Sequence, residues 1–324
     1  MNQLAATVVI PARDAAHCVG RAVRAIRDQQ DDAGRSVRVI VVDDASLDDT
    51  AAVARAAGAE VLVGAGLGPA RARNLGVAAA NTDLIVFTDA DCEARPGFLA
   101  ALLAPLSNPS VVGVTGAYET QQRSWVARFV QVEYEERYAR MAQRERIDFV
   151  DTYAAAYRRE VLEAVGGFDE RYLRPSTEDQ ELSFRVAEAG LGLVFAPAAR
   201  VGHLHAATLW GYARKKARIG FYKVATLRRH PLKAVSDAHT PQILKLQVLL
   251  APAAALPVFC VPAAGAFLLS TLPLTLRVLR RDPPVALAAP GLILLRALAL
   301  GIGLLAGAAA EARGGVLPAP EAVL

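Results

Sequence analysis

The sequence predicts an α/β fold, a mostly parallel sheet flanked by helices, followed by an apolar helical region. Three observations carry that expectation. Short Val- and Ile-rich runs of strand length recur at residues 6–10, 37–42, 60–63 and 84–88. Between them lie Ala-rich, Arg-containing stretches of helical length at 15–29, 48–57 and 69–80. After Lys245 the composition turns strongly apolar.

The strand-like runs are continuously apolar rather than alternating, as expected for strands buried on both faces. Strand, helix, strand at this spacing argues for parallel pairing with the helices as crossovers. Ligands on such sheets sit at the carboxyl ends of the strands. Three polar clusters fall at those ends: Pro11-Ala12-Arg13-Asp14, Asp43-Asp44-Ala45-Ser46 and Asp89-Ala90-Asp91. Chance would scatter such groups over both edges of a sheet, so their convergence predicts a binding site.

The third cluster is the most specific. Side chains two apart on an extended chain point to one side, so Asp89 and Asp91 project together, and their repulsion calls for a cation. Hard divalent ions such as Mg²⁺ and Mn²⁺ prefer oxygen, with substrate phosphates completing the shell. A polar strand-to-loop turn is the bland alternative. In the second cluster, Ser46 or Asp48 is expected to cap the following helix, with Asp48 and Asp49 favouring its dipole, which leaves Asp44 as the ligand candidate.

The chain has 324 residues, 53% of them hydrophobic, and a net charge of +4. Eight Lys or Arg and no acid lie between Ala206 and Val235. A basic run placed directly before an apolar region suits an anionic membrane surface better than a nucleic acid. The three cysteines, Cys18, Cys92 and Cys260, show no paired spacing, so neither a disulfide framework nor a zinc site is indicated and a reducing compartment fits. The N-terminal apolar run stops at Arg13 and Asp14, too short for a signal peptide, which predicts a cytoplasmic N-terminal domain.

Over residues 8–205 the sequence resembles the family 2 glycosyltransferases. The motifs VVIPARD, VVDDASLDDT, GPARARNLG, FTDADC, GGFDE, TEDQELSFR and GHLH occur in that family's order. The resemblance implies the GT-A fold, a Rossmann-like sheet that binds nucleotide sugars. It implies that Asp44 and Arg73 help hold the donor base, with Pro11, Arg13 and Asp89 also on the donor side. Asp91, with Asp89, is implied to bind Mg²⁺ or Mn²⁺ on the diphosphate, with a His nearby, for which His205 is the candidate. Asp179 is implied to be the general base of an inverting transfer, and Gly167, Phe168 and Glu178 to lie on the acceptor side.

Each of these residues has a plainer reading. Glu178 and Asp179 begin an amphipathic helix over 180–189, where acids favour the N-terminal dipole. Arg71 and Arg73 suit a solvated or ion-paired helix face. His203 and His205 alternate, so both are expected on one side of an extended segment. Gly166-Gly167-Phe168 makes a turn with an apolar anchor. No QxxRW follows His205, which disfavours repeated addition to a growing chain.

The expected organisation is a glycosyltransferase domain over 1–205, a basic interfacial segment over 206–245, and a transmembrane or re-entrant region over 246–324. Residues 246–276 carry no charge. As one helix they would extend about 46 Å against a hydrocarbon core of about 30 Å, so Pro252, Pro257, Pro262 and Gly265 are expected to divide them into a re-entrant hairpin. Residues 285–310, broken only by Arg296, are long enough to span, and Arg296 should face protein, reach a lipid phosphate or snorkel.

The function expected is transfer of a sugar from a nucleotide diphosphate donor to a membrane-associated acceptor, lipid or polyprenyl-linked, at the cytoplasmic face of the inner (plasma) membrane. A sugar nucleotidyltransferase competes, but it calls for a Gly-rich basic phosphate loop after the first strand, where this chain has IPARD. A non-catalytic nucleotide-binding membrane scaffold is disfavoured by the retention of Asp89, Asp91 and Asp179 together.

Overall fold

The computed structural model describes residues 5–29, 31, 33–235, 237, 240–253, 260–315 and 317. They form two compact units. One is built from the described parts of Met1–Glu119 and Met141–His203, the other from Thr120–Arg140 and Leu204–Pro318. The second unit thus takes in residues 120–140, expected in the first domain.

The first unit alternates β1 (Thr7–Ala12), α1 (Val19–Arg27), β2 (Arg38–Asp43), α2 (Thr50–Ala56), β3 (Glu60–Val63), α3 (Pro69–Ala78), β4 (Leu84–Thr88), β5 (Glu93–Ala94) and α4 (Phe98–Leu103). β6 (Val111–Glu119) follows, then α5 (Trp125–Met141) of the second unit. The chain returns with β7 (Ala154–Arg158), α6 (Arg159–Ala164), α7 (Glu178–Glu188) and β8 (Gly192–Gly202). The sheet order is β3-β2-β1-β4-β7-β6-β8-β5.

β1 pairs in parallel with β2 and β4, and β2 with β3, as the sequence pattern predicts. β7 reverses direction between β4 and β6, so the complete sheet is mixed. Val8, Val9, Ile10, Ile40, Val41, Ile85, Val86 and Phe87 are fully buried in it, each contributing about 1.5–3 kcal/mol. α1 covers one face with Val19, Ala22, Val23 and Ile26, a spacing that puts all four on one stripe. It starts later than expected because residues 15 and 16 are held in the loop: Ala15 N–H donates to Thr50 Oγ1 and Ala16 N–H to Asp48 Oδ2.

β8 decides where the last site residues fall. It runs parallel to β6 from Leu193 to Phe195, then makes an excursion before Arg200 pairs with Ala117. A Cβ at Gly116 would meet the Ala199 carbonyl oxygen at 2.4 Å, so only glycine lets the two backbones come this close. After the excursion β8 pairs antiparallel with β5, Gly202 opposite Glu93. This brings the end of β8 back to the segment that follows Asp89-Ala90-Asp91.

The second unit is helical: α5, α8 (Leu209–Arg229), α9 (Pro231–Val235), α10 (Gln242–Ala253), α11 (Cys260–Arg281), α12 (Pro283–Ala286) and α13 (Ala289–Ala312). Of the charge-free run 246–276, residues up to Ala253 lie in α10 and residues from Cys260 onward in the 22-residue α11; Pro252, Pro262 and Gly265 fall inside these helices rather than breaking them, and Pro257 lies outside the described residues. α11 and α13 are both long and apolar enough to cross a membrane. Arg296 faces protein, donating to Glu133 Oε1 at 2.6 Å and to Gln247 Oε1 at 2.8 Å. Lys216 and the Tyr212 hydroxyl meet the same Glu133 carboxylate at 3.1 Å.

Gly116→Ala should destabilise the protein by about 1–3 kcal/mol, the usual range for an atom forced into a packed site. Denaturant unfolding checks it, and an unchanged midpoint would mean that β8 does not need this close approach.

Candidate active site

The site is assembled at the carboxyl ends of β1, β2 and β4. Asp44 follows β2, and both its oxygens are held: Gly66 N–H donates to Oδ1 at 2.8 Å and Gly68 N–H to Oδ2 at 2.7 Å. Arg13, exposed after β1, donates from Nη1 to the Gly66 carbonyl at 3.2 Å. The two residues therefore fix the loop that leads into α3, where Pro69 at the first helical position follows Gly68 at φ 97°. A carboxylate oxygen accepts two hydrogen bonds, so Asp44 keeps capacity for a further donor. Pro11, half-buried, lies one strand residue before Ala12.

The loop chemistry departs from simple helix capping. Ser46 Oγ accepts from Asp14 N–H at 2.9 Å, and Asp14 Oδ1 accepts from Leu47 N–H at 2.8 Å, which ties the β1 and β2 ends together. Asp48 Oδ1 takes Thr50 N–H at the start of α2, whereas Asp49, the N-cap residue, makes no side-chain cap bond.

Arg73 lies almost wholly buried, 3% exposed. It donates from Nη1 to Glu178 Oε1 at 3.0 Å and from Nη2 to Asp89 Oδ1 at 3.1 Å, with its guanidinium 5.5 Å from the centre of the Phe168 ring. Expected beside the donor base, it joins α3, the end of β4 and the start of α7. Its neighbour Asn74 clamps the turn at Gly167: Asn74 Oδ1 accepts from Phe168 N–H and Nδ2 donates to Phe168 O, both at 2.9 Å. Gly167 has φ 68°, and Phe168 is buried edge-on against Phe87. The GGF segment is thus an anchored turn beneath Arg73.

Glu178 and Asp179 open α7 as expected. Glu178 points back to Arg73 and to Ser176 N–H, at 2.8 Å from the latter. Asp179 is half-buried, accepts from Gln180 N–H at 2.8 Å, and its backbone carbonyl is held by the Ser183 hydroxyl at 2.7 Å. Burial, then the charges of Glu178 and Asp151, pushes the Asp179 carboxyl well above the usual aspartate range, with Arg73 pulling the other way. Burial likewise raises Asp89, against the opposing pull of Arg73.

Asp91 is the exposed member of its pair, and the group it joins is Asp91, Cys92 and His203. His203 Nδ1 stands 3.5 Å from Asp91 Oδ2. The His203 ring stacks on Tyr118 at 4.4 Å, and Tyr118 on Tyr153 at 3.4 Å, which fixes the imidazole plane. Cys92 is fully buried, and burial with the two nearby aspartates pushes its thiol up. One carboxylate and one imidazole fit a divalent ion that takes its remaining ligands from diphosphate oxygens.

Among the described residues, the group takes in His203 and not the expected His205. His205 belongs to the second unit, where its N–H donates to Gln122 Oε1 at 2.6 Å, its Nε2 meets Gln131 Oε1 at 2.9 Å and its ring stacks on Tyr134. The alternating spacing in GHLH does not distinguish the two histidines. The two-residue strand β5, which pulls the end of β8 toward Asp91, is too short to leave a periodic signal. Sequence reasoning misses Asp151 and Tyr118 for a similar reason: both reach the site through β6 and β7 neighbours rather than through a motif.

Residues 4–221 match the family described as glycosyltransferase like family 2. The chain belongs to that glycosyltransferase family. It is 34% identical over 237 residues to the pre-mycofactocin glycosyltransferase of two strains of Mycobacterium tuberculosis, covering 70% of this chain and 48% of the relative. The chain therefore spans about half the length of the curated relatives it matches. Among solved structures it is similar to the mannosyltransferase PcManGT from Pyrobaculum calidifontis, in complex with GDP-Man and Mn²⁺, at TM-score 0.63 and 21% identity over 93% of this chain and 86% of that one. It is also similar to mannosyl-3-phosphoglycerate synthase from Rubrobacter xylanophilus, at TM-score 0.50 and 21% identity over 70% and 75% of the two chains. Both likenesses show the GT-A fold of this glycosyltransferase.

Arg73→Met should cost about 3–5 kcal/mol, because it leaves Glu178 buried without its counter-charge. Chemical denaturation measures this, and a loss below about 1 kcal/mol would mean that the acids tolerate one another without Arg73.

Proposed function

We propose that the protein transfers a glycosyl group, with inversion, from a nucleoside diphosphate sugar to a hydroxyl acceptor carried by a membrane. The observation that supports it best is the juxtaposition on one sheet of two acidic centres in different surroundings: exposed Asp91 beside His203, and Asp179 with a raised pKa beside Glu178 and Arg73.

The acceptor hydroxyl is a poor nucleophile near neutral pH. Asp179 takes its proton as the hydroxyl oxygen bonds to the anomeric carbon, and the bond from that carbon to the diphosphate oxygen breaks on the opposite face. A raised pKa brings this base closer to the working pH, where proton transfer is most effective. A divalent cation held by Asp91 and His203 supplies, when bound, positive charge to the departing diphosphate. Arg73 keeps Asp89 and Glu178 in place, and Asp44 with the Gly66–Gly68 loop offers acceptors and a firm edge for the donor base. Phe168 and Gly167 form the floor of the acceptor side. His203 replaces His205 as the proposed imidazole ligand.

The attached helical unit, with its basic α8 and apolar α11 and α13, supports a lipid or polyprenyl-linked acceptor and a site facing the cytoplasm at the inner membrane. The nucleotidyltransferase alternative loses ground to the family match, and the scaffold alternative to the intact set Asp91, His203 and Asp179.

Asp179→Asn should lower transfer by about 10²-fold or more while nucleoside diphosphate binding stays near wild type. Near-normal turnover in this variant would exclude Asp179 as the base. In the wild type, activity should fall with acid at a higher pH than for an ordinary aspartate, because the base works only when ionised. Removing the Glu178 charge lowers the Asp179 pKa, so Glu178→Gln should move that acid limb to lower pH; a pH–rate profile with an unmoved limb would discard the coupling.

Asp91→Asn and His203→Ala should each weaken the Mn²⁺-dependent part of nucleoside diphosphate binding by about tenfold or more, the scale of losing one charged ligand contact. His205→Ala should not. Calorimetry with and without Mn²⁺ separates the two histidines.

A further inference from the structure

α13 is long enough to cross a bilayer, and its partner helix argues that it does not. Ala217, Gly220 and Phe221 of α8 meet Leu300, Gly303, Leu304 and Gly307 of α13 in rising order along both helices. Arg228 then pairs with Glu311 a further turn along both. The two helices therefore run side by side and parallel. A Cβ at Gly303 would meet the Ala217 carbonyl oxygen at 2.1 Å, one at Gly220 the Leu300 oxygen at 2.4 Å, and one at Gly307 the Phe221 oxygen at 2.4 Å. Backbones this close move as one body.

α8 carries Arg214, Lys215, Lys216, Arg218, Lys223, Arg228 and Arg229, of which Arg214, Arg218, Arg228 and Arg229 are exposed. Were α13 to cross the membrane, α8 would be drawn through the hydrocarbon with it, at a desolvation cost for each exposed guanidinium. α5 adds a second tether. Glu133 binds Lys216 of α8 and Arg296 of α13, Glu135 and Glu136 pair with Arg281 and Arg277 at the end of α11, and Arg128 pairs with Asp282. α5 has 17 residues, and the chain enters it from the first unit and returns to the first unit after it. A helix of that length whose two ends rejoin one unit does not cross the bilayer, so its partners are held on one side.

What remains exposed on α13 is an apolar stripe, Leu294, Leu298, Ile302 and Leu305, whose spacing keeps it within one face. α11 presents a similar stripe at Leu268, Leu272, Leu276 and Leu279. Apolar stripes beside exposed arginines match an anionic lipid surface, acyl chains under the leucines and phosphates around the guanidiniums.

We propose that α8 and α13 form a monotopic platform that lies in one leaflet of an anionic membrane, with both ends of α13 on the same side of that membrane. This rests on the membrane part of the function proposed above and specifies its geometry. A platform of this kind keeps the enzyme among lipid-borne acceptors.

The test uses the full chain with Cys260→Ser and one added cysteine, at Leu287→Cys just before α13 or at Ala312→Cys at its end, both exposed positions. An impermeant maleimide added outside intact cells should label neither, and both should react once the cells are opened. Labelling of one position but not the other from outside would overturn the proposal. In flotation, the purified full chain should bind vesicles containing phosphatidylglycerol at least about tenfold better than vesicles of phosphatidylcholine alone. Arg214→Glu with Arg218→Glu should remove that preference while nucleoside diphosphate binding is unchanged. Equal binding to both vesicles, or a detergent-free dimer that binds neither, would overturn the platform, the latter assigning the face to a second copy. Cleavage of nucleotide sugar by the solubilised chain reads the proposed transfer separately, so either idea can fail alone.

Discussion

A single buried guanidinium makes the acidic site physically tenable. Asp89, Asp91, Asp151, Glu178 and Asp179 all crowd the carboxyl end of the sheet, and in a low-dielectric interior their mutual repulsion would open it. Arg73 answers two of them directly, and its flat fork reaches Asp89 and Glu178 at once where a lysine offers only a point charge. Its position depends in turn on α3, which starts at Pro69 because the Asp44 carboxylate pins Gly66 and Gly68. The three strand ends are therefore linked by charge as well as by the sheet. The same arrangement distinguishes the surroundings of the acids: Asp89 and Glu178 face Arg73, while Asp91 is exposed beside His203.

The parallel half of the sheet is legible in the sequence, because continuous Val and Ile runs at β1, β2 and β4 suit strands covered on both faces and little else; β3, at the sheet edge with Val63 exposed, is not buried as its pattern predicts. The strand-end acids are legible too, since the turns after β1, β2 and β4 carry them. β6, β7 and β8 do not announce themselves as strands. Their buried residues include alanine, glycine and tyrosine, a mixture without a uniform strand preference, and their pairing is set by partners far away in sequence. The choice between His203 and His205 is hidden for that reason: the register of β8 depends on a backbone contact at Gly116 that no local pattern reveals. Arg73 stands out in its motif, but its burial between two acids is a tertiary fact.

The helical unit shows how charge can organise an apolar bundle. Glu133 draws together α5, α8 and α13 through Lys216, Tyr212 and Arg296, and Gln247 of α10 joins through the same arginine. A buried ion cluster contributes little net stability compared with a well-packed apolar one, but it specifies which helices meet and in which register. The glycines then decide how closely they meet. Removal of one charged member would leave the others without compensation, so the cluster behaves as an all-or-none joint.

That joint has a direction in time. Glu133 and Arg296 are separated by 163 residues, so during synthesis the carboxylate and its Lys216 partner emerge long before their guanidinium. The catalytic sheet needs nothing beyond β8 and can close while the ribosome is still translating the helices. α8, by contrast, waits with its small-residue groove open until α13 arrives to fill it. α13 is thus the helix that seals this groove, and the unit's closest backbone packing is among the latest of its contacts to form.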